Sequence, residues 1–114
     1  MGACNFGVRE SGKDVNSAYR AACENAEDEY GHSNNGTIST THGVRFFTKE
    51  ETPRFGTKAY QKWENDIIEK ETYGITKYGK AGAVEIPRSQ MLKMYPYLKG
   101  KRIKMFQFFG WAAE

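Results

Sequence analysis

The amino-acid sequence predicts an α+β fold in which two main helices pack against a mainly antiparallel sheet. Two segments carry apolar residues at three- and four-residue spacing, which is typical of amphipathic helices, while several shorter segments alternate in polarity as strands do. The chain has 114 residues, of which 39% are hydrophobic, so one buried core is expected. We therefore expect residues 1–114 to form a single compact domain with the element order β-α-β-β-α-β-short α-β.

The first half of the chain predicts a strand, a helix and a hairpin. Residues 4–9 alternate in polarity and lead into a turn, after which Asp14 is placed to cap a helix that ends before Gly31. Two β-prone segments, 37–40 and 44–47, flank a short turn and predict a hairpin. The helix would turn an alanine-rich stripe towards the sheet, consisting of Val15, Ala18, Tyr19, Ala22, Ala26 and Tyr30.

A second helix is predicted over about residues 57–71. Its buried stripe would consist of Tyr60, Trp63, Ile67 and Ile68. The side chains predicted to face water are Lys58, Lys62, Glu64, Glu69 and Lys70.

The rest of the chain predicts two strands separated by a short helix. The first strand covers residues 83–86, and residues 89–98 predict a short helix and a loop around Pro96. The final strand, 102–111, has apolar residues on both faces. Such a strand is normally covered on both sides, so we expect it to be central or sandwiched.

The net charge of +3 is unevenly distributed along the chain. Residues 75–114 contain eight basic and two acidic residues, so this part of the chain is positive by six. A concentration of like charge raises the local potential and attracts ligands of opposite charge. The sequence therefore predicts an anionic partner for the C-terminal third, with a simply solvated basic surface as the alternative.

Candidate ligand-binding residues come from one polar turn and two basic segments. The turn after the first helix offers hydroxyl, amide and backbone donors suited to phosphate or ribose. If Phe106 and Phe108 face outward they would form a stacking platform for bases, and if they face inward they belong to the core. The candidate residues are His32, Asn34, Asn35 and Thr37 of the turn, and Lys77, Tyr78, Lys80, Arg102 and Lys104 of the basic segments.

Catalytic and metal-binding signatures are sparse in this sequence. His32 and His42 each neighbour a hydroxyl residue, but sequence neighbours rarely form an oriented catalytic dyad, and no phosphate-binding loop, nucleophile elbow or zinc motif is present. We expect no catalytic residue, no metal and no cofactor, with a small enzyme as an alternative. A divalent cation held by Glu24, Asp28 and His32 is a further alternative.

Hydropathy and cysteine content bear on location. No run of 18 apolar residues and no basic-then-apolar leader is found, so we expect a cytoplasmic protein that makes no membrane contact. Cys4 and Cys23 lack the spacing of a metal site and are expected to be reduced and to pack as small hydrophobic residues.

Three motifs occur in order along the chain: YGH followed by NGTI within residues 30–38, KYGKAGAVEI at residues 77–86, and FFGWA at residues 108–112. Together they resemble a family of small uncharacterised proteins encoded mostly by bacteriophages and prophages. In the second motif the family usually has tryptophan and proline where this chain has Tyr78 and Lys80. The family has no agreed activity, so the resemblance implies a setting, phage infection in the host cytoplasm, and no reaction.

These observations predict a non-enzymatic binding protein that acts on host processes. Its ligand would be anionic, either a nucleotide signal or nucleic acid, with counter-defence as one purpose. The alternative is a protein–protein inhibitor of a host enzyme such as a polymerase or nuclease, in which the acidic end of the first helix, residues 24–29, imitates nucleic acid or exposed aromatic residues anchor the interface. The sequence does not predict the oligomeric state.

Overall fold

The computed structural model describes residues 3–30, 38–77 and 79–113. Four strands and three α-helices alternate along these residues. Three short 3₁₀ helices, Ile38–Thr40, Lys49–Glu51 and Pro96–Leu98, lie in the connections. None of the described helices is long and apolar enough to cross a membrane. The elements are β1 Ala3–Gly12, α1 Val15–Tyr30, β2 Val44–Phe47, α2 Lys58–Lys70, β3 Ala81–Glu85, α3 Arg88–Met94 and β4 Lys104–Ala113.

The four strands form one sheet in the order β1-β4-β3-β2. Strand β4 pairs antiparallel with both β1 and β3, whereas β2 pairs parallel with β3. The α+β class is therefore confirmed, but the sheet is mixed and not purely antiparallel. The final strand is an inner strand, as its apolar residues on both faces predict.

The predicted hairpin is wrong. Ile38–Thr40 is a 3₁₀ helix in which the Thr41 hydroxyl and amide both donate to the Ile38 carbonyl, at 2.7 and 3.0 Å. These local hydrogen bonds compete with the pairing of a strand. Strand β2 pairs instead with β3, and the two strands run parallel. Parallel strands need a long crossover connection, which helix α2 provides here.

Helix α1 covers one face of the sheet, which we call the α1 face. Asp14 caps the helix by accepting a hydrogen bond from the Ser17 amide at 2.8 Å, and this bond lowers the pKa of the Asp14 carboxyl. Ala18 and Ala22 are buried, so the helix approaches the sheet closely. The core on this face consists of Ala18, Ala22, Ile38, Ala81, Ala83, Phe106 and Phe108.

Helix α2 covers the opposite face, which we call the α2 face. Thr57 caps this helix, since its hydroxyl accepts from the Tyr60 amide at 3.2 Å. The core here is more aromatic, and the Phe109 ring lies directly over Gly82, where an added Cβ would be 2.5 Å from the ring. The core residues are Phe47, Tyr60, Ile67, Ile68, Ile75, Val84 and Phe109, with Phe55, Trp63 and Trp111 packed against them.

The register gives the sheet two distinct ends. At the first end β2 and β3 begin and β4 finishes, close to Lys80, and we call it the Lys80 end. At the other end β2 and β3 finish at Phe47 and Glu85, and β4 begins at Lys104, opposite Gly12 of β1. We call it the Glu85 end.

Candidate functional site

Five of the nine predicted binding residues lie outside the described part of the chain. They are His32, Asn34, Asn35, Thr37 and Tyr78. The other four are Lys77, Lys80, Arg102 and Lys104, and all of them are exposed.

Lys77 and Lys80 lie together at the Lys80 end. The Lys77 ammonium is 5.4 Å from the centre of the Trp111 ring, a cation–π contact, and its backbone amide donates to the Glu71 carboxylate at 3.0 Å. The side chain of Lys80 lies beside Gly43 and Gly74. These two cations therefore lie at the same end of the sheet.

Arg102 and Lys104 are not part of that group. Lys104 opens β4, seven residues before Trp111, which corresponds to about 24 Å of extended strand. Because side chains alternate along a strand, Lys104 also points to the α1 face while Trp111 points to the α2 face. The two basic segments consequently lie at opposite ends of the sheet and do not form one surface.

Phe106 and Phe108 belong to the core. Their side chains are 2% and 0% exposed, and Phe108 contacts the Tyr19 ring from α1. Side chains alternate along β4, so Phe106 and Phe108 point towards α1 whereas Phe109 points towards α2. The outward stacking platform is therefore wrong.

Two clefts in the described structure are lined by cations and open at the Glu85 end. The larger one has a volume of about 500 Å³, and we call it the Tyr60 cleft. It lies at the carboxyl ends of the parallel strands β2 and β3, the position where open α/β sheets bind ligands. Its lining residues are Lys49, Thr52, Pro53, Arg54, Phe55, Tyr60, Val84, Glu85 and Pro87.

A smaller cleft of about 130 Å³ lies on the other side of Glu85, and we call it the Lys104 cleft. It brings Arg88 and Lys104 together with apolar residues of α3 and β4. The Arg88 guanidinium donates to the Lys101 carbonyl at 3.3 Å. The Tyr60 cleft and the Lys104 cleft are thus each lined by two exposed cations, and Glu85 lines both clefts.

The connection from β2 to α2 positions the cations of the Tyr60 cleft. Glu51 accepts from the Thr48 amide at 2.9 Å and pairs with Arg45 at 2.8 Å, which fixes the turn that carries Lys49. The Arg45 hydrogen bond is the main reason that the pKa of Glu51 falls to about 2. Arg45–Glu51 is the one ion pair formed within residues 3–30, 38–77 and 79–113, so the cations of the clefts have no carboxylate partner there.

Phe55 and Tyr60 form the aromatic wall of the Tyr60 cleft. Their ring centres are 4.9 Å apart, and the Gln90 amide donates to the Phe55 carbonyl at 2.9 Å. Gly56 makes the turn between them with a φ of +86°, which favours glycine. The wall is therefore held by α3 on one side and by the cap of α2 on the other.

The Tyr60 hydroxyl is a buried donor without a partner. The residue is 4% exposed, and no described residue forms a hydrogen bond with its oxygen. Burial, followed by the nearby Glu64 carboxyl, raises the pKa of Tyr60 above its ordinary value, so the hydroxyl keeps its proton at physiological pH. The oxygen itself has almost no exposed surface, so the hydroxyl is enclosed by protein although the residue lines the cleft.

Glu64 lies one helical turn beyond Tyr60 and is buried, with 9% of its surface exposed. Burial raises the pKa of its carboxyl to about 7. The Glu64 carboxyl and the Tyr60 hydroxyl shift each other's pKa as two groups in a side-chain hydrogen bond do, although their geometry falls outside the usual hydrogen-bond criteria. The prediction that Glu64 faces water is wrong, because it occupies the same helical stripe as Tyr60 and Ile67.

Sequence reasoning did not identify the Tyr60 cleft. The spacing Tyr60, Glu64, Ile67, Ile68 places a carboxylate inside an apolar stripe, and this was the available signal. Lys49 and Arg54 lie outside the basic C-terminal third, so the charge distribution did not point to them either. Lys49 and Arg54 lie in the connection that follows β2. This connection comes close to Glu85, the last residue of β3, only because β2 and β3 run parallel and end at the same edge of the sheet.

Metal binding and similarity to known proteins give no further assignment. No group of three His, Cys, Asp or Glu side chains that could hold a metal is found among the residues that the structure describes, and Glu24 of the alternative metal site is exposed there. No family model matches the chain, and no curated protein or solved structure shows significant similarity to it.

Proposed function

We propose that this chain is a non-enzymatic binding protein for an anionic ligand, which it holds at the Glu85 end of its sheet. The observation that carries the proposal is the pair of adjacent clefts, each lined by two exposed cations without a carboxylate partner in the described structure. A cleft of about 500 Å³ has the size of small-ligand sites, which range over roughly 300–1,000 Å³. The cations supply charge complementarity for phosphate or carboxylate groups.

The separation of the basic segments bears on the size of the ligand. A mononucleotide cannot reach from the Glu85 end to Lys77 and Lys80, since about 24 Å of strand separates the two ends. A mononucleotide would therefore use the clefts alone, whereas a single-stranded oligonucleotide could extend beyond them. With the resemblance to phage-encoded proteins, this supports a host nucleotide signal or nucleic acid as the ligand, and interference with a host process, including defence, as the role.

Two charge-reversal variants test the location. Arg54→Glu with Lys104→Glu changes the Glu85 end, and Lys77→Glu with Lys80→Glu changes the Lys80 end. Both lower the net charge of the chain by four, so the long-range electrostatic effect is the same and any difference is local. The measurement is the affinity for labelled nucleotides and oligonucleotides at low and high salt.

We expect the Glu85-end variant to lose binding by about tenfold or more, which corresponds to about 1.4 kcal/mol, while the Lys80-end variant stays close to the unmodified protein. Oligonucleotide binding should weaken with salt, with a slope of about 0.7 per phosphate contact. Loss confined to the Lys80-end variant would move the site to Lys77 and Lys80. Equal affinities in all three proteins would contradict the proposal.

The exposed surface formed by Met94, the last residue of α3, and Tyr97 of the following 3₁₀ helix supports the alternative of a protein–protein inhibitor. Tyr97 is 69% exposed and Met94 is 37% exposed, and tyrosine and methionine are enriched in protein interfaces. If this surface binds a host polymerase or nuclease, Tyr97→Ala should reduce inhibition of that enzyme and leave nucleotide binding unchanged. An enzyme assay with the two charge-reversal variants as controls separates the two functions.

A further inference from the structure

The sheet has two edge strands, β1 and β2, and they differ in how their edges are protected. Strand β2 has only four residues. The Arg45 guanidinium donates to its Phe46 carbonyl, and the Thr48 amide just after it donates to Glu51 at 2.9 Å. A short edge whose backbone groups are bonded by side chains does not accept another strand. The β2 edge is therefore closed.

Strand β1 has ten residues and lacks these protections. It contains no proline and pairs with β4 without a bulge from Ala3 to Gly12. Its two charged side chains are bonded within the chain, since Arg9 donates to Gln107 at 3.1 Å and Glu10 accepts from Asn25 of α1 at 2.6 Å. These side chains therefore lie over the two faces of the sheet and leave the edge accessible.

The alternation of hydrogen bonds shows which β1 residues direct backbone groups outward. The Ile86 amide donates to the Met105 carbonyl at 2.8 Å, so odd-numbered residues of β4 bond to β3 and even-numbered ones bond to β1. Their partners in β1 are also even-numbered, which leaves the N–H and C=O groups of Asn5, Gly7 and Arg9 directed outward. No hydrogen bond from a described residue outside the sheet reaches these groups.

The Ser11 amide supports this direction. It is the next amide on the same side of β1, and it donates to the Glu10 carboxylate at 3.3 Å, a bond that an amide paired within the sheet would not need. Side-chain protection of the β1 edge is thus limited to its end, and the stretch from Asn5 to Arg9 stays open.

We infer that β1 pairs antiparallel with β1 of a second copy of this chain, about a two-fold axis at Gly7, so that the two sheets become continuous. In this register residues 3–11 of the two copies lie opposite each other, and the outward groups of Asn5, Gly7 and Arg9 bond across the axis. The same edge serves both copies, as in other two-fold interfaces. This inference concerns assembly and does not rest on the proposed function.

The side chains of β1 favour a second copy in this register. On the α1 face, Phe6 would lie opposite Val8 of the second copy, a favourable aromatic and β-branched pair, and both are only half-buried within one chain. On the α2 face, Arg9 would lie opposite Asn5 of the second copy, so like charges are kept apart. An axis at Arg9 would set two arginines against each other, and an axis at Val8 would set Glu10 against a phenylalanine ring.

The test has two readouts on the full chain. Sedimentation equilibrium gives the monomer–dimer constant, and hydrogen exchange measured by NMR at low and high protein concentration gives the protection of single amides. Protection of the Asn5, Gly7 and Arg9 amides should rise with concentration. The Phe6 and Val8 amides already bond to β4 and should be protected throughout.

Variants at exposed β1 positions test the register. Asn5→Glu places an acidic group opposite Arg9 of the second copy and should tighten the dimer by about two- to tenfold, whereas Asn5→Lys should weaken it by a similar factor. Gly7→Lys sets two cations against each other at the axis and should weaken it by about tenfold or more. Ala59→Lys adds the same charge on the exposed side of α2 and should leave the constant unchanged. Thermal unfolding of the diluted variants checks that the monomer is intact.

A chain that stays monomeric at every concentration overturns the inference. A dimer in which the Asn5, Gly7 and Arg9 amides remain unprotected also overturns it, because another surface then forms the dimer. If Asn5→Glu and Asn5→Lys change the constant in the same direction, the register about Gly7 is wrong. Ligand binding at the Glu85 end is measured separately, and it can fail or succeed independently because no β1 residue lines the two clefts.

Discussion

Each face of the sheet packs against one tyrosine, half-buried Tyr19 on the α1 face and buried Tyr60 on the α2 face, and the hydroxyls of the two differ in their hydrogen bonds. On the α1 face, the Tyr19 hydroxyl lies 2.6 Å from the Thr41 hydroxyl and accepts from the Gly43 amide at 3.2 Å. On the α2 face, the more deeply buried Tyr60 has no such partner in the described chain. An unsatisfied buried polar group costs about 1–3 kcal/mol. The α1 tyrosine is thus satisfied internally, whereas the α2 tyrosine is an enclosed polar group whose hydrogen bond is unmade in the described structure.

Packing shows the same difference between the faces. On the α1 face, β3 contributes Ala81 and Ala83, whose Cβ atoms fit against the core. On the α2 face it contributes Gly82, because the Phe109 ring occupies the space of a side chain. On the α1 face, small residues of α1 and β3 therefore allow the helix to approach Phe106 and Phe108, whereas on the α2 face large rings fill the space and leave a cleft at one end.

The largest expected effect concerns the Phe109 ring over Gly82. Phe109→Ala should lower the free energy of unfolding by about 3–5 kcal/mol. Gly82→Ala should cost about 1–3 kcal/mol in the unmodified chain, because its methyl group meets the ring, and clearly less in the Phe109→Ala background, where the 2.8 Å contact with the Ile75 side chain is what is left. Urea unfolding of the double-mutant cycle measures this coupling.

Phe108→Ala provides the matched control for that cycle. Phe108 is equally buried but points to the α1 face, so Gly82→Ala should keep its full cost in the Phe108→Ala background. A similar reduction in both backgrounds would show that the two faces are not independent.

The next effect is a pH dependence from Glu64. Its pKa is about 7 in the folded chain against 4.5 for the unperturbed group, so between these values the folded state holds more protons than the unfolded state. The free energy of unfolding therefore falls as pH rises from about 4.5 to about 7, by an amount on the order of 2–3 kcal/mol. Chemical denaturation across pH 4.5–8 measures the fall. Glu51, whose pKa is lowered to about 2, changes the free energy of unfolding only below about pH 4.5 and so does not contribute to this fall.

Glu64→Gln should remove this fall, since glutamine does not titrate. Glu69→Gln, an exposed site on the same helix, is the control and should leave the pH profile unchanged. If Glu64→Gln retains the full dependence, another group on the α2 face titrates in its place.

The smallest effect directly compares the two tyrosines. Tyr19→Phe should destabilise the chain by about 1 kcal/mol or more, because it leaves the Gly43 amide without its acceptor and removes one of the two hydrogen bonds of the Thr41 hydroxyl. Tyr60→Phe should be neutral or slightly stabilising at pH 5, where Glu64 is protonated, because it removes an unsatisfied donor. Thermal unfolding of both variants checks the sign of each change. A clear loss in Tyr60→Phe would mean that its hydroxyl already has a partner in the unliganded protein.

Several elements were predictable because their signals are local. The cap Asp14, the alanine stripe of α1 and the aromatic stripe of α2 follow from residue spacing, and the structure confirms these helices within one or two residues. The placement of Phe106 and Phe108 in the core follows from a strand that is apolar on both faces. The 3₁₀ helix at Ile38–Thr40 was missed because side-chain bonds from Thr41 replaced strand pairing.

The candidate site was less predictable, because it depends on elements that are distant in sequence. Lys77 and Lys80 are neighbours in sequence and in space, but Lys104 lies at the other end of the strand that carries Trp111. Net charge along the chain carries no information on which end of a sheet a residue occupies. The cations that line the Tyr60 cleft come from the connection after β2, where no sequence pattern marked them.

The sequence by itself determined the α+β class, both main helices and the sandwiched final strand, because periodicity and capping act over a few residues. Only the tertiary structure decided that β2 runs parallel to β3, that Glu64 is buried beside Tyr60, and that the basic residues divide between two ends of the sheet. Each of these depends on which distant segments meet when the core closes. Burial and strand register, which set the pKa of Glu64 and the surroundings of Tyr60, arise only at that point.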